Sequence, residues 1–298
     1  MIVFEHLAKR YGSLKAVDDL SFTVKPGRVT GFLGPNGAGK TTTMRMSTNL
    51  IRSDAGRATF YGREYAKLVK PLTKVGVALE PVVFHPGRTA MDHLMMLAPY
   101  AGVGRGRCQE VLNMVGLSEV GPKRLSQFSL GMRGRLNLAA ALMGDPGIMM
   151  LDEPVNGLDP EGIRWMRELL RGLAGEGRTI LISSHLLSEI EQTVDDLVII
   201  AHGKLVYAGP LAELEGSRTP VVAVKVADVG ALHTLAMAHG WAVREQTSGG
   251  AVLLEGPTPA EVGRATLAAG IPLESLAAHA SDLESLFLEL TEGQGDMR

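Results

Sequence analysis

The sequence has little that would hold a secreted scaffold together. Its 298 residues include a single cysteine, Cys108, so no internal disulfide can form and a reducing compartment is expected. Cys108 stands in helical text, where a small inert residue is the ordinary reading and a reactive thiol the exceptional one. There is no charge imbalance either: the formal net charge is -2, without the clustered positive field that a nucleic-acid backbone demands. Long apolar runs are missing as well. The strongest are cut by Asp152 and Glu153 or by Asp195 and Asp196, short of the roughly 18 consecutive apolar residues that cross a bilayer. Any membrane work would need a separate spanning partner. Residues 1–10 show no charged region followed by an apolar stretch and a small-residue cleavage site, so no signal peptide is expected. What remains is ordinary globular text, 45% hydrophobic and 21% charged, long enough for one large core and a small appended domain.

The opening of the chain reads as strands over 2–4, 21–24 and 29–33, the last preceded by a Lys25-Pro26-Gly27 turn. From Thr41 the apolar spacing becomes helical and halts near Ser53-Asp54-Ala55-Gly56, before a strand over 58–61. Residues 91–140 are mostly helical in period, with breaks at 102–106 and at Gly121-Pro122, which marks a helical insertion over about 85–145. A strand at 148–151, a helix at 162–174 and strands at 179–183 and 197–201 restore the alternation of an α/β sheet. This first domain is expected over 1–212. A small α+β domain is expected over 219–298. Its text alternates at 221–227, turns helical at 231–239, places two strands around Ser248-Gly249-Gly250, and continues with a helix at 259–269. An amphipathic helix over 282–290 is expected to close it, with Leu283, Leu286, Phe287 and Leu290 on one face.

The strand over 29–33 runs into Gly34-Pro35-Asn36-Gly37-Ala38-Gly39-Lys40-Thr41-Thr42. This matches a phosphate-binding loop in its required context, a strand before and a helix after. Glycines let backbone amides converge on a polyphosphate, Lys40 sets a point charge beside the β and γ phosphates, and Thr41 offers a hydroxyl to magnesium. A magnesium-binding carboxylate should then come from a buried strand end, and Ile148-Met149-Met150-Leu151-Asp152 provides one. Glu153 follows at once. A carboxylate beside a metal-phosphate site can polarise water, which makes Glu153 the candidate general base.

Here a resemblance becomes specific. Leu151-Asp152-Glu153-Pro154, followed by Asn156-Gly157-Leu158-Asp159-Pro160, resembles the Walker B and D-loop segments of ATP-binding-cassette ATPases. That family has a signature segment before Walker B, usually Leu-Ser-Gly-Gly-Gln, and this chain has Phe128-Ser129-Leu130-Gly131-Met132 in its place. Ser129 and Gly131 are kept; the first glycine and the glutamine are not. His185 in Ser183-Ser184-His185 resembles the switch histidine that touches the γ phosphate, and Tyr11 in Lys9-Arg10-Tyr11-Gly12 matches the position whose ring stacks on adenine. Glu80 departs from the family, standing where most relatives have the Q-loop glutamine. An ionised carboxylate accepts hydrogen bonds but does not donate them, although relatives resembling antibiotic-peptide immunity exporters also carry glutamate there.

The resemblance covers about 2–210 and implies a P-loop NTPase core with a helical insertion. It implies ATP bound by Tyr11, Asn36, Gly37, Ala38, Gly39, Lys40, Thr41, Thr42 and Asp159, with Ser129 and Gly131 contacting the γ phosphate of ATP held by an opposite subunit. Mg2+ would be held by Thr41 and Asp152, with Glu80 at the metal or the attacking water. The implied partners are a second copy or a homologous ATPase subunit and a polytopic membrane permease, with the chain peripheral at the inner face of the membrane. A looser likeness of the tail, through 281–288, points to exporters of the daunorubicin and bacitracin resistance type. Val82, Val83 and Phe84 read equally as core residues or as part of a groove for a permease helix. Two rivals stand beside this reading: a soluble ATPase of the same superfamily acting on ribosomes or DNA, and a phosphate-loop kinase or GTPase. One phosphate loop, no long heptad segment and no basic patch count against the first; the signature segment counts against the second.

Overall fold

A computed structural model describes residues 1–80, 84–120, 123–216, 220–246 and 250–279, with Phe287 and Thr291. The chain divides into two compact units, Met1–Ala212 with Leu290–Arg298, and Glu213–Glu289.

In the first unit, β1 (Ile2–Tyr11) and β2 (Leu14–Val24) form a hairpin, and β4 (Ala55–Phe60) pairs on the other side of β1, all antiparallel. This hairpin is much longer than the apolar text suggests. Register shifts between Phe4 and Leu7, Leu7 and Lys9, and Lys9 and Arg10 break the period-two pattern that would reveal it. His6 and Asp19 take left-handed backbone at φ 51 and 58, and His6 Nδ1 lies 2.7 Å from Asp19 Oδ1.

The second sheet holds β3 (Val29–Leu33), β5 (Val75–Ala78), β6 (Ile148–Leu151), β7 (Thr179–Ser184), β8 (Asp196–Ala201) and β9 (Lys204–Pro210), in the order β5-β6-β7-β3-β8-β9. All neighbours are parallel except the β8–β9 pair. Every residue of β3, β6, β7 and β8 is buried, which is why these strands read as continuous apolar runs rather than alternating ones. Between the two sheets lies a core that includes Phe4, Phe22, Phe32, Phe60 and Met44. Phe4 and Phe22 stack with ring centroids 4.2 Å apart. Burying side chains of this size contributes roughly 1.5–3 kcal/mol each.

Helix α1 (Lys40–Ser47) follows β3 and stops well before the turn expected near 53–56. The amides of Leu50 and Ile51 fold back onto the Arg45 carbonyl, and Asn49 takes φ 61, so the chain leaves the helix in a tight turn. The helical insertion contains α2 (Ala90–Ala101), α3 (Arg105–Met114) and α4 (Leu130–Leu142). Thr89 and Asp92 form a capping box that starts α2, and Gly102 at φ 70 ends it. Cys108 is fully buried beside Met143, and burial pushes its thiol above the ordinary range; this is the inert reading. The first unit also contains α5 (Pro160–Gly175) and α6 (Leu187–Ile190), and α7 (Leu211–Gly216) follows β9.

Within α2, His93 is 9% exposed and its Nδ1 has no partner among the described residues. The Phe84 ring stands edge-on to it at 4.8 Å, so Phe84 packs against the insertion. Burial, then the nearby Arg88 charge, hold the His93 pKa below its ordinary value. The unfolded chain therefore binds this proton at a higher pH than the native one does. The neutral imidazole contributes stability that is complete above about pH 6.5 and is lost as pH falls toward the lower native pKa. Thermal unfolding midpoints should fall between pH 7 and 5.5, and His93→Leu should flatten that slope; equal slopes in both proteins would refute the assignment.

The second unit runs β10 (Val221–Val226), α8 (Val229–His239), β11 (Ala242–Gln246), β12 (Val252–Glu255), α9 (Pro259–Ala268) and β13 (Leu273–His279). Its antiparallel sheet has the order β11-β12-β10-β13, the split β-α-β arrangement. Val222, Val224, Val252 and Leu254 face Leu232, Ala236 and Val262 of the helices. The sequence reading did not foresee β13. The expected helix over 282–290 lies outside the described residues except for Phe287, as do Val82, Val83, Gly121-Pro122 and the Ser248-Gly249 part of the expected turn.

Candidate functional site

The loop between β3 and α1 is shaped by close backbone approaches. Gly39 has φ 106, and a Cβ there would meet the Ala16 carbonyl at 2.4 Å, so only glycine fits. The Ala38 carbonyl accepts from Gly203 N at 3.1 Å, and the Gly203 carbonyl accepts from Asp18 N at 2.9 Å, which ties the loop to the β8–β9 turn and to β2. Lys40 at the helix start is 6% exposed. Its Nζ donates to the Gly34 carbonyl at 2.6 Å and lies 3.7 Å from Glu153 Oε1. Burial holds this ammonium below the usual lysine range, although Glu153 and Asp152 pull it the other way.

The acidic pair sits where β6 ends, beside the end of β7. Asp152 Oδ2 accepts from Thr41 Oγ1 at 2.9 Å, and Oδ1 accepts from Ser183 Oγ at 2.6 Å. Glu153 occupies left-handed backbone at φ 49, uncommon for a residue with a side chain; its N–H donates to Ser183 Oγ at 2.9 Å. Glu153 Oε2 lies 3.0 Å from His185 Nδ1. An ionised carboxylate only accepts, so in that state Nδ1 carries the hydrogen and Nε2 is left as the ring's other functional atom. Ser184 Oγ accepts from Leu186 N at 3.1 Å and donates to Glu189 Oε2 at 2.9 Å, bracing the turn that carries His185. Glu80 follows β5 in the same region. Burial, then the charges of Asp152 and Glu153, push its carboxyl above the ordinary range, and Arg45 Nη2 donates to its carbonyl at 2.5 Å.

A cleft of about 500 Å³ brings Tyr11, Glu80, Glu153 and His185 together with the whole loop segment from Asn36 through Gly37, Ala38, Gly39 and Lys40 to Thr41 and Thr42. Tyr11, at the end of β1, is 48% exposed, which leaves ring surface open. Ser129, Gly131 and Asp159 do not join this cleft. They line a separate hollow of about 300 Å³ with Gly157 and Arg135. There Ser129 caps α4 by accepting from Met132 N at 3.2 Å, and Asp159 caps α5 by accepting from Gly162 N at 2.8 Å. The sequence reading passed over Ser183, Ser184 and Glu189 as site members. The only signal for them was the pair of hydroxyls before His185.

The donors around Asp152 are hard oxygens, a threonine hydroxyl beside a carboxylate, with Glu153 and Glu80 nearby; burial first, then the charges of Asp152 and Glu153, raise Glu80. Such a set fits a small hard dication better than a soft one. A mixed group also occurs among the described residues: Glu153, His185 and Glu189 each present one donor atom within 4.8 Å of the others.

Three comparisons bear on these features. The family model described as ABC transporter matches residues 17–156, a stretch that includes the phosphate loop and the acidic pair. The bacitracin transport ATP-binding protein BcrA of Bacillus licheniformis is 46% identical over 212 residues, covering 70% of this chain and 69% of that protein. The daunorubicin resistance ATP-binding protein DrrA3 of Streptomyces coeruleorubidus is 33% identical over 305 residues, 97% of this chain and 95% of that one. A solved structure described as the ATP-binding subunit of an ABC transporter matches with a TM-score of 0.65 at 25% identity, covering 72% of this chain and 92% of its own. A phosphate loop facing an acidic strand end, in a chain this similar to named members, leads to one conclusion: the chain belongs to the ABC transporter family as an ATP-binding subunit and is an ATP hydrolase.

Proposed function

We propose that ATP lies in the cleft with its polyphosphate on the amides of the segment from Gly37 to Thr42 and its adenine against the Tyr11 ring. Lys40, which bonds the Gly34 carbonyl at 2.6 Å, turns its ammonium to the β and γ phosphates. Thr41 and Asp152 hold Mg2+, with Glu80 beside them. When bound, that ion neutralises phosphate charge and orients the phosphate oxygens. Glu153 takes the proton of the attacking water, and His185, oriented by Glu153 at 3.0 Å, stabilises the charge that develops on the γ phosphate.

Ser129, Gly131 and Asp159 lie in a hollow of their own, and this supports a dimer in which they complete the site of a second copy or a homologous ATPase subunit. No helix among the described residues is long and apolar enough to cross a membrane. In this reading, which rests on the transport names of its relatives, the chain works at the cytoplasmic face, bound to a polytopic permease, with no role for nucleic acid. Relatives named for bacitracin transport and daunorubicin resistance favour export of a drug, antibiotic or peptide. The observation that carries the mechanism is the unbroken series of contacts Thr41–Asp152–Ser183–Glu153–His185 at the cleft. Co-purification of the full chain from membranes tests the transport reading. A protein with several apolar spans should come with it, and capture of ribosomes in its place would overturn the reading.

A further inference from the structure

We propose that Ser183 is a positioning residue for hydrolysis, its one hydroxyl setting the Asp152 carboxylate and the Glu153 backbone in a common geometry. This rests on the roles proposed above for Asp152 and Glu153.

Ser183 lies near the end of β7 and is 0% exposed. The parallel register pairs Leu151 with Ile182, so the next residues along, Asp152 and Ser183, meet where the two strands end. A buried hydroxyl is costly unless its hydrogen and lone pairs are used. Here they are used on both halves of the acidic pair. The hydrogen goes to Asp152 Oδ1 at 2.6 Å, and the oxygen accepts from Glu153 N at 2.9 Å. The preceding residues of the strand, Ile180, Leu181 and Ile182, are apolar and buried; a position that only filled the core could have been the same.

Two features of the site depend on this hydroxyl. Glu153 sits at φ 49, and left-handed backbone at a residue with a side chain persists only where its surroundings enforce it. The peptide N–H of that residue is the group Ser183 receives. Asp152, for its part, divides its oxygens, Oδ2 toward Thr41 and Oδ1 toward Ser183. Rotation of this carboxylate would misdirect the oxygen proposed for the metal. Outer hydrogen bonds of this kind orient ligands and tune their affinity. Ser183 is thus the joint between the Thr41–Asp152 half and the Glu153–His185 half of the contact series.

The test compares Ser183→Ala and Ser183→Thr in the full-length protein. Steady-state hydrolysis is resolved into kcat and KM for ATP while Mg2+ is titrated, and a fluorescent ATP analogue is bound with and without Mg2+. In Ser183→Ala, kcat should fall about 10- to 100-fold, and KM for ATP at saturating Mg2+ should rise by about 10-fold, in step with the lost Mg2+-dependent affinity. Analogue binding without Mg2+ should match the native protein, and the affinity gained on adding Mg2+ should shrink about 10-fold. Ser183→Thr keeps the hydroxyl and should recover most of both. A native kcat and native Mg2+ response in Ser183→Ala would overturn the inference, as would equal losses in the alanine and threonine variants. If Ser183→Ala binds no analogue under either condition, its fold is lost. Ser183→Cys then decides, because a thiol fills the space but bonds weakly; native kcat in that variant would overturn the inference. Failure of the underlying reading looks different: Glu153→Gln would stay active, whereas an inactive Glu153→Gln beside a native Ser183→Ala sinks only the role of Ser183.

Discussion

Replacing Glu153 with glutamine should reduce steady-state ATP hydrolysis by about 100- to 10,000-fold, the range that positioned proton transfer contributes, while ATP binding survives. The amide has nearly the shape of the carboxylate, so the turn at φ 49 and the N–H bond to Ser183 can remain. What disappears is the basic oxygen. Its Oε2 is oriented by His185 at 3.0 Å and Oε1 lies 3.7 Å from Lys40, so both oxygens are held toward the cleft that contains the phosphate loop. A glutamine there can place water but cannot take its proton. If nucleotide binding closes two subunits and hydrolysis reopens them, this variant should accumulate ATP-dependent dimers by size-exclusion chromatography. Hydrolysis at the native rate would remove Glu153 from its assigned role.

Lys40→Ala should weaken ATP binding by about 10- to 100-fold, which corresponds to the roughly 1.5–3 kcal/mol of a charge-assisted hydrogen bond. The chain itself should still fold. Lys40 is 6% exposed and burial already disfavours its charge, so its removal relieves a desolvation cost. Its Nζ donates to the carbonyls of Gly34 and Pro35, at 2.6 and 3.4 Å, and lies 3.7 Å from Glu153 Oε1. Those groups hold the ammonium at the loop's own centre. Polyphosphate would offer it several anionic oxygens, so the net gain on binding should be large. Equilibrium titration with a fluorescent ATP analogue measures the change directly. Unchanged affinity, with an unchanged thermal midpoint, would contradict the cradle.

How far the site could be read in advance followed the sequence distance of its contacts. The loop from Gly34 to Thr42 is local: one turn sets its amides, and its glycines, Gly34, Gly37 and Gly39, stand close together in the sequence. Asp152 and Glu153 were legible because four buried apolar residues precede them in β6. Ser183 was not. Its contact with Asp152 spans 31 positions and exists only because β6 and β7 are neighbours in the sheet. Tyr11 takes a role only from the resemblance, and it lines the cleft through the long hairpin whose register shifts hide it. Edge strands β9 and β13 were missed because exposed edges need no apolar period; most of β13 is exposed.

From its residues alone this protein is legible as an α/β chain with a phosphate loop, an acidic strand end and a smaller second domain, and the resemblance adds the ATPase reading. Each of those features is written by neighbours in sequence: apolar runs that must be covered on both faces, and glycines such as Gly39 where left-handed backbone and a close approach leave no room for a side chain. Tertiary structure decided which side chains share a cleft. It gathered Tyr11, Glu80, Lys40, Glu153 and His185 and placed Ser129, Gly131 and Asp159 in a different hollow. The reason is topological, since the order β5-β6-β7-β3 sets strand ends side by side that the chain itself keeps far apart.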